Sequence, residues 1–353
     1  MEMRRSKPIE RLLIRALENG PRRFSAAAGV IPVIDCGPFF AGKAGALQHL
    51  GEEIARAAEQ VGFFYALNHG VADELLIRAF AAARQFFALP LEQKLAIKLN
   101  KYGAGYLPLN ASVQSAANVG KAILSKRSES LFTGREAGDA PTDPAEQEAL
   151  CGHNQWPAEV PGFRPDIIAC FAALQAMCER LLSPLAAALG EPADFFEAYF
   201  GEQAEARLRL LHYPPQDPSG EKVFGQGPHT DNSFITALAR TDVPGLVVRL
   251  PSGEWFPPPV IPGSLLINLG NIMRRWSNDR FVSVPHAVLN ASGADRYSIA
   301  YFYNPNPDRV IQCLPSCAGA DNPPLYPPAL YRNLAADFYR ARPPITAAAR
   351  PPH

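Results

Sequence analysis

The chain of 353 residues carries no formal net charge, because 34 Lys and Arg residues balance 34 Asp and Glu residues. It also has no long run of like charge. Neither the basic field that draws nucleic acid nor a solvating acidic tail is present. No uninterrupted apolar run approaches the roughly 18 residues needed to cross a bilayer. The basic opening (Arg4, Arg5, Lys7) leads into Leu12-Leu13-Ile14 and Leu17, an apolar set broken by Arg15 and Glu18. That pattern reads as a short surface helix rather than a signal peptide. The six cysteines (Cys36, Cys151, Cys170, Cys178, Cys313, Cys317) are scattered. Cys313 and Cys317 form a lone C-x3-C with no second pair, which argues against a zinc clip or a disulfide framework. Reduced thiols in a cytoplasm are expected. So are a monomer or weak homo-oligomer and no nucleic-acid or membrane partner.

What the chain does have is apolar mass and many turns. It is 47% hydrophobic and only 19% charged, with 35 Pro and 26 Gly. A sizeable core with many turns is expected rather than a helical bundle. Ile31–Asp35 reads as a short strand. Leu47, Leu50, Ile54, Ala58 and Val61 recur at helical spacing, and Gly62 ends that helix before a buried strand, Phe63–Leu67. After the turn Asn68-His69-Gly70, Asp73 is the expected cap of a helix running to Phe87. Residues 99–165 read as polar loops. Phe171, Leu174, Cys178, Leu181, Leu185 and Leu189 mark a long helix, which Pro184 should kink and Gly190 should stop. Short runs rich in β-branched and aromatic residues then take over at 207–213, 233–239, 245–250, 264–269 and 296–303. Many short strands at such spacing predict a sandwich or barrel, of which a jelly roll is one form.

The chemistry-bearing pattern sits in this β-rich part. His229-Thr230-Asp231 is followed 55 residues later by His286. At the start of a strand, residues i and i+2 leave the same face, so His229 and Asp231 reach one ion while Thr230 points away. Gly225, Gly227 and Pro228 suit a loop delivering that strand to a rim, and Pro285 before His286 suits a strand edge. Two imidazoles and one carboxylate filling one face of a metal, with open positions opposite, are characteristic of non-haem Fe(II) oxygenases. Zinc accepts the same set to activate water. No dedicated general base stands nearby, so iron is preferred. Arg296 and Ser298 also share a strand face. Their guanidinium and hydroxyl suit a carboxylate, with Tyr213 as a further phenolic donor. These residues predict a 2-oxo acid as co-substrate and dioxygen as oxidant.

The segment from 229 to 303 resembles the isopenicillin N synthase-like branch of the Fe(II)/2-oxoglutarate dioxygenases. It does so through PHTDNSFIT, GLVVRLPSGEWFPPPVIPGSLLINLGN, RRWSNDRFVSVPHAVLN and RYSIAYFYNPNPD, in that order. IPVID, GFFYALNHGV, FFALPLEQK, GAGY and NQWP extend the likeness back to residue 31. The resemblance implies a mainly β fold of the α+β kind: a double-stranded β-helix core at 201–310 behind a helical N-terminal domain at 30–200. An arm at 1–29 and a C-terminal segment at 311–353, packed on the core, complete the expected division. The resemblance also implies Fe(II) on His229, Asp231 and His286, with 2-oxoglutarate on Arg296, Ser298 and Tyr213. The expected reaction hydroxylates, desaturates or cyclises a small molecule and releases succinate and CO2.

Three departures from the family pattern stand out. Leu211-His212-Tyr213-Pro214 replaces Asn-Tyr-Tyr-Pro, Asn271 stands where Asp is usual, and Ala287 where Arg often follows the second histidine. Isopenicillin N synthase and the ethylene-forming oxidase also carry Arg-x-Ser without using 2-oxoglutarate, so an iron oxidase of that kind stays open. So does a non-catalytic scaffold binding a small carboxylate, although the intact ligand set argues against it. Phe234, Val247, Leu266 and Phe302 read as core or barrel lining. Asn268 faces either the pocket or a local partner. His69 reads as structural, and His212 should point away from the site if Tyr213 points in. Arg274 and Arg275, like Lys98 and Lys101, read as solvated surface charge, with a cationic rim as the alternative.

Overall fold

The computed structural model describes residues 30–100, 102–109, 114–115, 123–124, 127–136, 154–216 and 224–340. The expected arm at 1–29, Lys101 and Cys151 lie outside them. Strand β1 (Val33–Asp35) leads through helix α1 (Ala46–Gln60) to β2 (Phe63–Leu67) and α2 (Asp73–Phe87). Asp73 is the first helical residue and makes no side-chain cap, so its carboxylate serves the positive helix end instead. Strands β3 (Gly105–Leu107) and β4 (Glu129–Gly134) arise in the stretch read as loops. The long helix α3 runs Phe163–Leu189 and ends at Gly190, whose φ of 79° only glycine adopts freely. It begins eight residues earlier than its apolar spacing suggested. Pro165 falls in its first turn, where a missing N–H costs nothing.

Eight further strands and a short helix complete the β part: β5 (Ala206–Tyr213), β6 (Gln226–His229), β7 (Ile235–Arg240), β8 (Leu246–Arg249), β9 (Trp255–Phe256), β10 (Ser264–Leu269), α4 (Asn271–Trp276), β11 (His286–Val288) and β12 (Arg296–Tyr303). They form two sheets. The large one has the order β1-β2-β10-β7-β12-β5-β4-β3, and the small one β9-β8-β11-β6. Every pairing is antiparallel except β1 with β2. The large sheet therefore draws four strands from the N-terminal half of the chain.

Side-chain alternation divides the interior in two. Along β12, Ile299, Tyr301 and Tyr303 join a cluster with Ile54, Phe86, Leu174 and Leu181 under the helices. Ala300 and Phe302 face the other way, into a second cluster with Phe63, Tyr65, Leu211, Leu246, Val248, Leu266 and Val288, drawn from both sheets. Helix α3 is long and apolar enough to cross a membrane by length and composition. It is interrupted by Asp166, Glu179 and Arg180, and it packs on α1, α2 and β12 as the core of the helical layer.

After the barrel, the chain returns to the core. The Tyr331 hydroxyl donates to the Glu205 carboxylate. Arg274 and Arg275 bind this returning segment rather than forming a rim. Arg274 reaches the Tyr326 hydroxyl and Asp279, while Arg275 lies over the Tyr326 ring and donates to the Pro327 carbonyl. Cys313 and Cys317 are free thiols. His69 is buried, its Nδ1 accepting the Val71 amide, as a turn residue should be.

Candidate active site

Between the two sheets lies a cavity that opens to solvent, lined among others by His229, Asp231, His286, Arg296 and Ser298. His229 and His286 are cross-strand partners on β6 and β11, so the small sheet itself sets the two imidazoles side by side, ring centroids 4.3 Å apart. His229 is the last residue of its strand, not the first. Asp231 lies just beyond, where the chain has left the ladder and turns back toward β7. The side chains still converge: Asp231 Oδ1 is 3.7 Å from Nε2 of His229 and 3.7 Å from Nε2 of His286. The three donor atoms all lie within 4.8 Å of one another. Pro285 precedes a strand that is interior to the small sheet, and its carbonyl accepts the Arg249 amide.

Every other polar atom of this trio is occupied. His229 Nδ1 faces the Gly227 carbonyl at 2.8 Å, and His286 Nδ1 faces that of Val284 at 3.2 Å. Each such bond fixes a tautomer that leaves Nε2 as a lone-pair donor. Asp231 Oδ2 accepts from Thr236 Oγ1 and Asn268 Nδ2, both at 2.8 Å, which leaves Oδ1 facing the imidazoles. Burial, with His286 next, pushes the His229 imidazole down to about 3, favouring the neutral, ligating form. Burial alone would raise Asp231, but His286, His229 and the two hydrogen bonds outweigh it and hold the carboxyl below its usual range. Thr230 takes no part; its hydroxyl accepts from Asn271 Nδ2.

At the far end of the cavity stand Arg296, Ser298 and Tyr213. Arg296 faces Tyr213 across the β5–β12 ladder, and Ser298 faces Leu211. The Arg296 guanidinium is 4.8 Å from the Tyr213 ring centroid and only 1% exposed, yet its Nε and Nη1 have no hydrogen-bond partner. Burial pushes it down to about 10, so it is still a cation at neutral pH. Buried donors without partners are costly, and a bidentate carboxylate is the partner a guanidinium's geometry fits.

His212, one residue before Tyr213, points to the other side of the large sheet. Its Nδ1 is 2.7 Å from Glu129 and its Nε2 2.6 Å from Asp295, and its ring stacks on Tyr297. Phe302 and Asn268 line the cavity, whereas Phe234 belongs to the aromatic core with Phe196 and Trp276. Val247 and Leu266 are core as well. Sequence reasoning did not single out Thr236, Arg209 or Gln226, all of which line the cavity. For Arg209 a signal existed, since Arg209, Leu211 and Tyr213 share one face of β5 by period two.

Comparison with known proteins decides the family. A profile described as "non-haem dioxygenase in morphine synthesis N-terminal" matches residues 31–159, and that of the 2OG-Fe(II) oxygenase superfamily matches 204–305. A 2-oxoglutarate-Fe(II) type oxidoreductase, hxnY of Emericella nidulans, is 37% identical over 88% of this chain and 89% of its own length. The chain belongs to the 2OG-Fe(II) oxygenase superfamily. It falls within the isopenicillin N synthase-like type, and Fe(II), 2-oxoglutarate and dioxygen are that family's metal, co-substrate and oxidant. A second 2-oxoglutarate-Fe(II) type oxidoreductase, from Aspergillus fumigatus, is 32% identical over 88% of this chain and 92% of its own length. Among solved structures, a full-length Neurospora crassa protein in complex with alpha-KG superposes with a TM-score of 0.76 at 27% identity, covering 88% of this chain and 96% of that one. The chain is accordingly a non-haem Fe(II) oxidoreductase with a jelly-roll core.

Proposed function

We propose that His229, Asp231 and His286 bind Fe(II), and that Arg296, Ser298 and Tyr213 hold the distal carboxylate of 2-oxoglutarate. The enzyme then oxidises a small molecule held in the same cavity. The carrying observation is the pairing, within one cavity, of three converging donor atoms with a buried guanidinium whose Nε and Nη1 have no protein hydrogen-bond partner. Bound iron would supply oxidation by dioxygen, coupled to decarboxylation of the 2-oxo acid to succinate and CO2. The chain's own residues bind and orient. Thr236 and Asn268 hold Asp231 in one rotamer, and the Gly227 and Val284 carbonyls fix the imidazole tautomers. Phe63, whose ring stands edge-on to His286 at 5.7 Å, and Val288 exclude water beside the ligands.

Small-molecule ligands are known for structural relatives: the same Neurospora crassa protein has been solved in complex with alpha-KG and thymine. Hydroxylation, desaturation and ring closure differ only in how the substrate is posed. The test is a turnover screen reading succinate. Succinate release that rises with a candidate substrate and vanishes in Asp231→Ala supports the reading. Substrate oxidation without any 2-oxo acid would point instead to an isopenicillin N synthase-like oxidase.

A further inference from the structure

Resting on that assignment of metal and co-substrate, we infer that Arg209 makes this cavity selective for a prime substrate bearing a carboxylate, which it binds beside the metal ligands. Strand β5 turns Arg209, Leu211 and Tyr213 into the cavity in succession. Tyr213 faces Arg296, Leu211 faces Ser298, and Arg209 faces Ala300. At a rise of about 3.3 Å per residue, Arg209 therefore springs from the wall ~13 Å along the strand from the Arg296 end.

The neighbours of the two guanidinia separate them in the same way. Arg296 lies over the Tyr213 ring, whereas Arg209 lies over the Phe132 ring of the adjoining strand β4. The co-substrate is a diacid, with one carboxylate bound for Arg296 and the other for the metal. Neither end calls for a second arginine alongside the histidines.

Arg209 is also built in. Its Nε and Nη2 donate to Ser130 Oγ at 3.1 and 2.9 Å, and its guanidinium lies 4.7 Å from the Phe132 ring centroid. Ser130 itself is fully buried. A half-buried guanidinium, oriented this way at the edge of a low-dielectric cavity, favours an anion with little ordering cost. The remaining wall near it and the metal is apolar, with Phe63, Leu246, Val288 and Phe302, plus the Gln226 amide. The substrate this wall selects is a small carboxylate on an apolar or aromatic body.

The test uses the full-length protein with Fe(II) and 2-oxoglutarate under anaerobic conditions. Benzoate, phenylacetate and hexanoate are each titrated beside their primary amides, by calorimetry and by the perturbation of the iron–2-oxoglutarate absorption. At least one carboxylate should bind the wild-type protein tenfold or more tighter than its amide. In Arg209→Gln that preference should fall within twofold, in Arg209→Lys part of it should return, and 2-oxoglutarate affinity should stay within about threefold in both. Retained 2-oxoglutarate binding also reports that the variants are folded. No carboxylate preference in the wild type, or a preference that survives Arg209→Gln, overturns the inference. Loss of 2-oxoglutarate binding in Arg209→Gln overturns it too, by assigning Arg209 to the co-substrate. Failure of the wild type to bind 2-oxoglutarate at all would instead overturn the parent assignment.

Discussion

On the proposed assignment, co-substrate use depends on Arg296. Its guanidinium is buried and lies over the Tyr213 ring, and its Nε and Nη1 have no hydrogen-bond partner. A charge-assisted bidentate pair contributes about 1.5–3 kcal/mol, so Arg296→Gln should raise the dissociation constant for 2-oxoglutarate roughly 10- to 150-fold. Metal affinity, measured separately, should change little. Thr236 and Asn268 act one step further out, through Asp231 Oδ2. Thr236→Val and Asn268→Leu should each weaken Fe(II) binding about 10- to 100-fold while leaving the three donor atoms in place. Competition against a metal chelator measures this, and unchanged affinity in both variants would remove the supporting role. Arg296 and Ser298 could be placed on one face from their i, i+2 spacing within a strand. Asp231, by contrast, reaches the imidazoles from the turn beyond β6, and His286 and Tyr213 meet His229 and Arg296 only through strand pairing. Thr236 and Asn268 were not assignable as partners of Asp231. Their bonds to it depend on how β7 and β10 pair, which no local spacing encodes.

At the scale of elements, strands with β-branched or aromatic alternation were visible and the polar ones were not. Strand β4 carries Glu129, Ser130 and Thr133 inward, so its burial is polar and leaves no apolar period to detect. It nevertheless ties the sheet together. Glu129 takes Lys94 at 2.8 Å, Tyr106 at 2.5 Å and His212 at 2.7 Å, and His212 in turn reaches Asp295, next to Arg296. Burial alone would raise the Glu129 carboxyl, but His212, Lys94 and Tyr106 outweigh it and hold it below the ordinary value of 4.5. A depressed folded value means the stabilisation is complete above that ordinary value and is lost as pH falls through the folded one. Glu129→Gln should therefore cost about 3–5 kcal/mol at pH 7, because Lys94 and His212 are left buried. The gap to wild type should narrow below pH 4.5. Urea unfolding at pH 7 and pH 3.5 checks this, and an equal gap at both values would contradict it.

The junction from β10 to α4 is tighter still. A Cβ on Gly270 would stand 2.0 Å from the Ser233 carbonyl oxygen, which is backbone and cannot rotate aside. Gly270→Ala should destabilise the protein by several kcal/mol and displace the Asp231–Ser233 turn, because the Asn271 amide donates to the Asp231 carbonyl there. Thermal unfolding together with metal affinity reads both effects. Wild-type values in this variant would show that the turn adapts.

The molecule as a whole works as two packed layers with different contents. Helices α1, α2 and α3 bury the outer face of the large sheet, and that apolar layer holds the barrel rigid. The space between the sheets is left for ligands, and its polar groups are arranged from the metal trio at one end to Arg296 at the other. The β-rich character and the jelly roll followed from strand spacing and family likeness. The merging of four N-terminal strands into the large sheet did not, because pairing between distant segments is a tertiary event. If one cavity holds both ligands, metal and co-substrate should bind cooperatively as a single site. Anaerobic addition of Fe(II) and 2-oxoglutarate together should produce a weak visible absorption band that neither gives alone. The band should be lost in Asp231→Ala and should need far more 2-oxoglutarate in Arg296→Gln. A featureless spectrum from folded, metal-loaded wild-type protein would contradict the account.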